Sequence, residues 1–365
     1  MAKRRKRPTV RRTVETEAAK TSLAGQVAVV AGATRGAGRG IARALGEAGA
    51  FVYCTGRSVR GKPSHYNRPE TIEETAELIE RAGGAALAVR VDHSIEAEVQ
   101  AFFADVDARH HRLDVLVNSL AGDDPMMKQD ATFWEADLSK GEAIFKQALI
   151  SHMITAKHAA PLMIRAKRGL IVEVTEADMF GGGGNPIAKA VKMEHKIMAL
   201  NMASELAPHG VAAVAITPGY LRSERMLENF GVTESNWRDF GKVDSNWLES
   251  ETPMFVGRAI VALAQDPAVM ARTGQLLSSW QMGREYRFTD VDGRRPNWGA
   301  LKIDFSTLPP EVVEYYRVAS RLERDWTATI AARTRRFMKQ LPAKPKPAKS
   351  RPSGSRARRA RRPRH

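Results

Sequence analysis

Short, unbroken apolar runs recur through the middle of this 365-residue chain, at 26–31, 50–54, 86–91, 114–118, 170–175 and 211–217. Each is rich in Val, Ile and Ala and lacks the in-out alternation of a half-exposed strand. Each therefore predicts a strand buried on both faces. Between them lie stretches of helical spacing, such as 70–82, which Gly83-Gly84 ends as a C-terminal stop. Strands alternating with helices predict a parallel sheet with helices on both faces. A further segment, 273–278, predicts a last strand and brings the sheet to about seven. No internal repeat is visible.

Two stretches exceed what the alternation needs. One, 58–69, follows the second strand; the other, 220–252, follows the sixth and holds Trp237, Trp247 and several acids. Loops at the carboxyl ends of such strands cover the ligand crevice, so the second is a candidate lid, with a surface elaboration as the alternative. Residues 311–341 place Val312, Val313, Tyr316, Leu322 and Trp326 at roughly helical spacing. They predict a helical extension that caps the domain or meets a partner subunit.

Composition changes the picture in one respect. The net charge of +16 is carried by the ends: residues 1–12 hold seven Lys/Arg, residues 342–365 hold ten, and neither holds an acid. Those seventeen charges, set against +16, leave the body at −1. The organisation expected is a basic tail over 1–21, one large domain over 22–300, the helical extension over 301–341 and a second basic tail over 342–365. The single cysteine, Cys54, lies in an apolar run, which predicts a buried, unreactive thiol and a reducing compartment. No apolar run approaches the roughly 18–20 residues of a membrane span, and no secretory leader is visible. A soluble, cytoplasmic protein is expected, with a nuclear location open in a eukaryote because the first tail resembles a basic import signal.

The candidate chemistry begins at Gln26-Val-Ala-Val-Val-Ala-Gly-Ala-Thr-Arg-Gly-Ala-Gly-Arg-Gly-Ile41. An apolar strand runs into Gly32, Gly36 and Gly38 and then into a helix. Absent side chains let backbone approach a pyrophosphate, and the helix start offers free N–H groups and partial positive charge. A glycine triplet alone is weak evidence; following the first strand and opening a helix strengthens it.

These residues resemble the short-chain dehydrogenase/reductase family, and the resemblance continues through about 26–282. It implies a Rossmann-type doubly wound sheet that binds a nicotinamide dinucleotide. Thr55-Gly-Arg-Ser58 ends the second strand, where the adenosine ribose is read. Arginine there accepts a 2′-phosphate, so Arg57, with Arg35 and Ser58, favours NADP(H) over NAD(H). Asp92 resembles the adenine-contacting aspartate. Asn118 falls in Asp114-Val-Leu-Val-Asn-Ser-Leu-Ala-Gly122, which resembles the family's Asn-Asn-Ala-Gly segment with one residue added. Pro218 and Gly219 resemble the Pro-Gly pair after the sixth strand, and Ser223 stands where a hydroxyl holds the nicotinamide carboxamide. The resemblance also implies a homo-oligomer.

Family catalysis uses a Tyr-x-x-x-Lys pair on one helix face, a serine ending the fifth strand and an asparagine on the preceding helix. Aligned from Ala207-Pro-His-Gly210, Lys192 takes the lysine's place, and the tyrosine's place falls to Ala188. No tyrosine lies between Tyr66 and Tyr220, so no shift of alignment restores it. Thr175 or Glu176 stands at the serine's position. The helix before Pro161 offers Ser151 and His152 but no asparagine.

Two readings stay open. In one, a non-standard group supplies the proton, with Glu176 the first candidate, Asp178 beside it and Tyr220 a further one, for an oxidoreductase acting on a carbonyl or alcohol. In the other, the chain binds the cofactor without turnover and acts as a scaffold. The histidines show no metal-ligand spacing, so no metal is expected. The tails lack apolar residues on which to fold. They suit non-specific binding to nucleic acid or another polyanion, with a solubilising role as the alternative.

Overall fold

The structure is a computed structural model; it describes residues 23–63, 67–121, 134–135, 137–176 and 186–300, with isolated positions further on. The basic tails and nearly all of the 311–341 extension lie outside the described residues.

The sheet is built as the apolar runs predict. Strands β1 (Val27–Ala31), β2 (Phe51–Gly56), β3 (Ala85–Arg90), β4 (Val115–Asn118), β5 (Gly169–Val174), β6 (Val211–Thr217) and β7 (Leu276–Ser278) form one sheet in the order β3-β2-β1-β4-β5-β6-β7. Every pairing is parallel. Burial follows position: β1, β4 and β6 are buried along their full length, whereas β3, at the edge, is only partly covered. Continuous apolar sequence is what a strand covered on both faces requires. Cys54 is fully buried in β2, and burial alone pushes its thiol up to about 12, so it packs as a small hydrophobe.

Nine α-helices lie among the described residues: α1 (Gly36–Glu47), α2 (Ile72–Arg81), α3 (Glu96–His110), α4 (Leu138–Phe145), α5 (Ser151–Ala166), α6 (Pro186–Leu206), α7 (Glu224–Asn229), α8 (Pro253–Gln265) and α9 (Ser279–Glu285). The 70–82 helix is the shorter α2, because Thr71 caps it by accepting the Glu74 N–H. Ile41, Leu45, Ile79, Val256 and Ile260 pack one face of the sheet. Phe102, Phe103, Val106, Leu162 and Met163 pack the other.

Strand order reverses between β1 and β4, and ligands bind at the carboxyl ends of strands where such a reversal opens the sheet. The 220–252 stretch is not a bare loop. It carries α7 and two 3₁₀ turns, Trp237–Lys242 and Ser245–Glu249. It is pinned by Arg222, whose buried guanidinium bonds Glu234, the Ser250 carbonyl and the Ser250 hydroxyl, and lies 4.1 Å over the Trp237 ring. The candidate lid is thus a braced wall.

Candidate active site

A cavity of about 1010 Å³ opens at the carboxyl ends of the strands and takes in both halves of the expected site. Gly32 has φ +87°, and a Cβ there would stand 2.4 Å from the Ser119 carbonyl oxygen. A Cβ on Gly38 would stand 2.0 Å from the Gly32 carbonyl oxygen, so the turn closes only without side chains. Both glycines line the cavity with Gly36, where α1 begins.

The helix start already carries an internal anion. Glu224, at the head of α7, accepts the Gly36 N–H at 2.8 Å, and Arg39 lies 3.6 Å from the same carboxylate. A diphosphate at this turn shares the N-terminus with Glu224 or displaces it.

At the end of β2 three arginines line the cavity, Arg35, Arg57 and Arg68. Arg35 bonds Glu70 at 3.1 Å and reaches Ser58 at 3.5 Å, and Arg57 lies 3.8 Å from Asp92. Arg68 bridges Glu70 and Glu228. Burial pulls the Glu70 carboxyl up, but hydrogen bonds from Arg68 and the charges of Arg68 and Arg35 leave it below its ordinary value. Burial lowers the Arg35 guanidinium, against the attraction of Glu70. This is a dense, pre-oriented cation cluster whose counter-ions are carboxylates on the same rim.

At the other end of the cavity the predicted residues Glu176, Lys192, Pro218, Gly219, Tyr220 and Ser223 all reach the lining. Thr175, at the expected serine's place, is buried and donates its hydroxyl to the Lys192 carbonyl at 2.8 Å, tying the end of β5 to α6. Glu176, the next residue, is exposed. Ser223 caps α7, accepting the Met226 N–H at 3.3 Å. Burial, helped by Asp244, raises the Tyr220 phenol, the opposite of the lowering that a neighbouring lysine gives a catalytic tyrosine. Ala188 lies within α6, and Asp178 falls outside the described residues.

Asn118 is the correction. Its side chain is fully buried and is not part of the lining; Ser119, Leu120 and Ala121 take that place. The amide donates to Glu173 at 2.7 Å and to the His152 carbonyl at 3.3 Å. The amide is held behind the crevice by Glu173, buried in β5.

His152 completes this interior network. Its Nδ1 lies 2.6 Å from Glu173 and its Nε2 lies 2.9 Å from the Leu120 carbonyl. Both ring nitrogens thus have an oxygen partner, and the ring bridges β5 to the segment after β4. His195 stacks on it at 4.2 Å and donates to the Ala148 carbonyl. Burial, His152 and Lys192 together hold His195 well below the ordinary histidine value. The network fixes the Leu120 carbonyl from behind, and with it the cavity floor.

Further residues at and behind the cavity were not among the cofactor-site expectations. A π-helical turn, Lys146–Ile150, joins α4 to α5 and brings Gln147 and Ser151 to the lining. Trp280 and Trp298 line the cavity from the far end of the chain. Arg68 was traceable only to the long 58–69 stretch. Glu251, fully buried, accepts the Gly219 N–H at 3.0 Å and the Ser279 hydroxyl at 2.5 Å. Burial pushes its carboxyl up to about 8; the Ser279 and Gly219 bonds and Arg222 oppose the rise, while Asp290 adds to it.

The fold and this crevice define a nicotinamide-dinucleotide-binding α/β protein, and comparison with known proteins agrees. Residues 26–231 match the short chain dehydrogenase family. The mouse "Dehydrogenase/reductase SDR family member 1" is 36% identical over 277 residues, covering 74% of this chain and 85% of the relative. A putative NAD(P)-dependent gluconate 5-dehydrogenase from Beutenbergia cavernae, whose structure holds NADP at low occupancy, is 26% identical with a TM-score of 0.57, covering 71% of this chain and 97% of that one. A metagenomic short-chain oxidoreductase in complex with NADP is 26% identical with a TM-score of 0.53, covering 67% and 93%. The chain belongs to the short-chain dehydrogenase/reductase family, a family of oxidoreductases.

Proposed function

We propose that this chain is an NADP(H)-dependent oxidoreductase that interconverts a carbonyl and an alcohol with a proton donor other than tyrosine. The observation that carries the reading is the convergence of the glycine turn, the arginine cluster, Lys192 and the Pro-Gly segment on one cavity. The crevice fits the cofactor: the turn leaves room for diphosphate, and Arg35, Arg57 and Arg68 suit a 2′-phosphate. Bound NADPH supplies a hydride to the carbonyl carbon, and the carbonyl oxygen takes a proton from the protein.

Lys192 holds the nicotinamide ribose, as the family resemblance implies. Glu176 is the proton donor in this reading, because it is the carboxyl group that follows β5 on the cavity wall and Thr175 fixes its neighbour to α6. Tyr220 ranks below it, since burial makes its phenol a weaker acid.

The test is NADPH consumption against a panel of aldehydes, ketones and quinones by the unmutated chain, Glu176→Gln and Ala188→Tyr. Turnover that Glu176→Gln abolishes with unchanged NADPH affinity supports the assignment. Turnover that survives it removes Glu176. NADPH binding without turnover, with activity appearing only in Ala188→Tyr, identifies instead a cofactor-binding protein that has lost its chemistry. For the basic tails we propose non-specific polyanion binding by counterion release: deleting 1–12 and 342–365 should abolish low-salt binding to arbitrary duplex DNA and leave NADPH affinity intact.

A further inference from the structure

The short helix α7 meets the cofactor half of the crevice through two carboxylates, each set on a group that suits a phosphate. Its cap, Ser223, abuts the glycine turn: a Cβ on Gly36 would lie 3.6 Å from the Ser223 Cβ. Glu224, the first residue of the helix, accepts the Gly36 N–H at 2.8 Å, and Arg39 lies 3.6 Å from its other oxygen. Four residues on, and so on the same helix face, Glu228 accepts two bonds from Arg68, 2.7 Å from Nη1 and 2.9 Å from Nη2. The Arg68 bond in turn holds the Glu228 carboxyl below its ordinary value.

Arg68 has both bidentate edges of its fork engaged. Nε and Nη2 donate to Glu70 at 3.0 and 2.6 Å, while Nη1 and Nη2 serve Glu228. A 2′-phosphate therefore grips Arg68 with two bonds only by replacing a carboxylate. The two carboxylates are unequal. The Glu70 side chain is 8% exposed and is also bonded by Arg35, whereas that of Glu228 is 62% exposed. An exposed carboxylate gains little from such a pair and recovers its hydration on release, while a phosphate draws more from the same edge. Glu228 is the partner that yields. At the glycine turn the Gly36 N–H is already spent on Glu224, and a diphosphate there meets the same choice.

We propose that Glu224 and Glu228 are internal stand-ins for the phosphates of the cofactor, Glu224 for the diphosphate and Glu228 for the 2′-phosphate, and that the dinucleotide binds by exchanging with them. The proposal rests on the NADP(H) part of the reading above and needs no turnover. NAD(H) exchanges with Glu224 alone; NADP(H) exchanges with both and releases α7 in full. Because α7 also carries Arg225 and Met226 to the lining, the exchange ties the 2′-phosphate to the shape of the rest of the crevice.

The full-length chain and three variants, Glu224→Gln, Glu228→Gln and Asp239→Asn, are titrated with NADP⁺ and with NAD⁺ by calorimetry at low salt. Glutamine keeps the shape and an acceptor and removes the charge. Glu228→Gln should tighten NADP⁺ by about threefold and leave NAD⁺ within about 1.5-fold. Glu224→Gln should tighten both by about threefold. Asp239→Asn removes a charge from the same stretch, away from the lining, and should move neither. Equal gains for both cofactors in Glu228→Gln, or gains as large in Asp239→Asn, overturn the exchange in favour of general charge repulsion. Weaker NADP⁺ binding in Glu228→Gln overturns it by making Glu228 a positioner of Arg68. Unchanged affinities in both glutamine variants overturn it as well. A chain that binds neither dinucleotide overturns the cofactor reading and the exchange together; one that binds both, with no separation between them in Glu228→Gln, overturns the exchange alone.

Discussion

The two ends of the crevice are built by different rules. At one end Gly32, Gly36, Gly38 and Arg57 share the lining, and a Cβ on Gly38 would stand 2.0 Å from the Gly32 carbonyl oxygen. At the other end, Thr175 or Glu176 stands where the resemblance expects serine and Ala188 where it expects tyrosine. Trp280 and Trp298, beyond the matched segment, join the lining there. Diphosphate recognition rests on backbone geometry that few side chains can tolerate. Proton donation rests on one group of suitable acidity, which several residue types at several positions can provide.

The sharpest way to break this comparison is at the glycine turn. Gly38→Ala places a Cβ against the Gly32 carbonyl, a backbone atom that cannot give way. Cofactor affinity should fall on the order of a hundredfold, measured by NADPH fluorescence titration. A loss under about threefold would show that the turn does not set the adenosine end.

Glu251 probes the other end through pH. Its carboxyl is raised from an ordinary 4.5 to about 8 by burial. The stability this contributes is fully present below the unfolded value and is lost as pH rises through about 8. Glu251→Gln should keep acceptance from Gly219 and Ser279 while removing the ionisation. Denaturant unfolding at pH 9 should find the variant more stable than the unmutated chain by about 2 kcal/mol, with the difference shrinking toward pH 5. A constant difference across that range would show that Glu251 does not titrate there.

Cofactor choice separates the ends more finely. Arg57→Asp should shift the NADP(H)-over-NAD(H) binding ratio toward NAD(H) by about tenfold, because it replaces a 2′-phosphate partner with a ribose-hydroxyl acceptor. An unchanged ratio would remove Arg57 from the site. The smallest effect belongs to Glu224, which occupies the Gly36 N–H. Glu224→Gln should tighten NADPH by about threefold at low salt, by relieving repulsion of the diphosphate. Weaker binding would mean that Glu224 organises the turn rather than competing for it.

The sheet, its parallel sense and the glycine turn were legible because each is written in a short stretch. Burial on both faces demands an unbroken apolar run, and the turn demands glycines within seven residues, Gly32 to Gly38. The arginine rim was half legible: Arg35 and Arg57 adjoin the motif, whereas Arg68 enters only because Glu70 and Glu228 hold it there. Asn118 matched the family segment, and its direction was set by Glu173, 55 positions away. The partners that decide the remaining features are equally remote. Glu224 meets Gly36 across 188 residues, and Trp298 reaches Tyr220 only through a strap fastened to Thr252, Leu248 and Ser250. The sequence by itself determined the elements and the cofactor turn, because backbone hydrogen bonding and burial act over neighbouring residues. Which side chains face the crevice, and which are drawn into buried polar pairs behind it, only the tertiary structure decided, because an unpaired polar group in the interior must find its partner wherever the fold brings one.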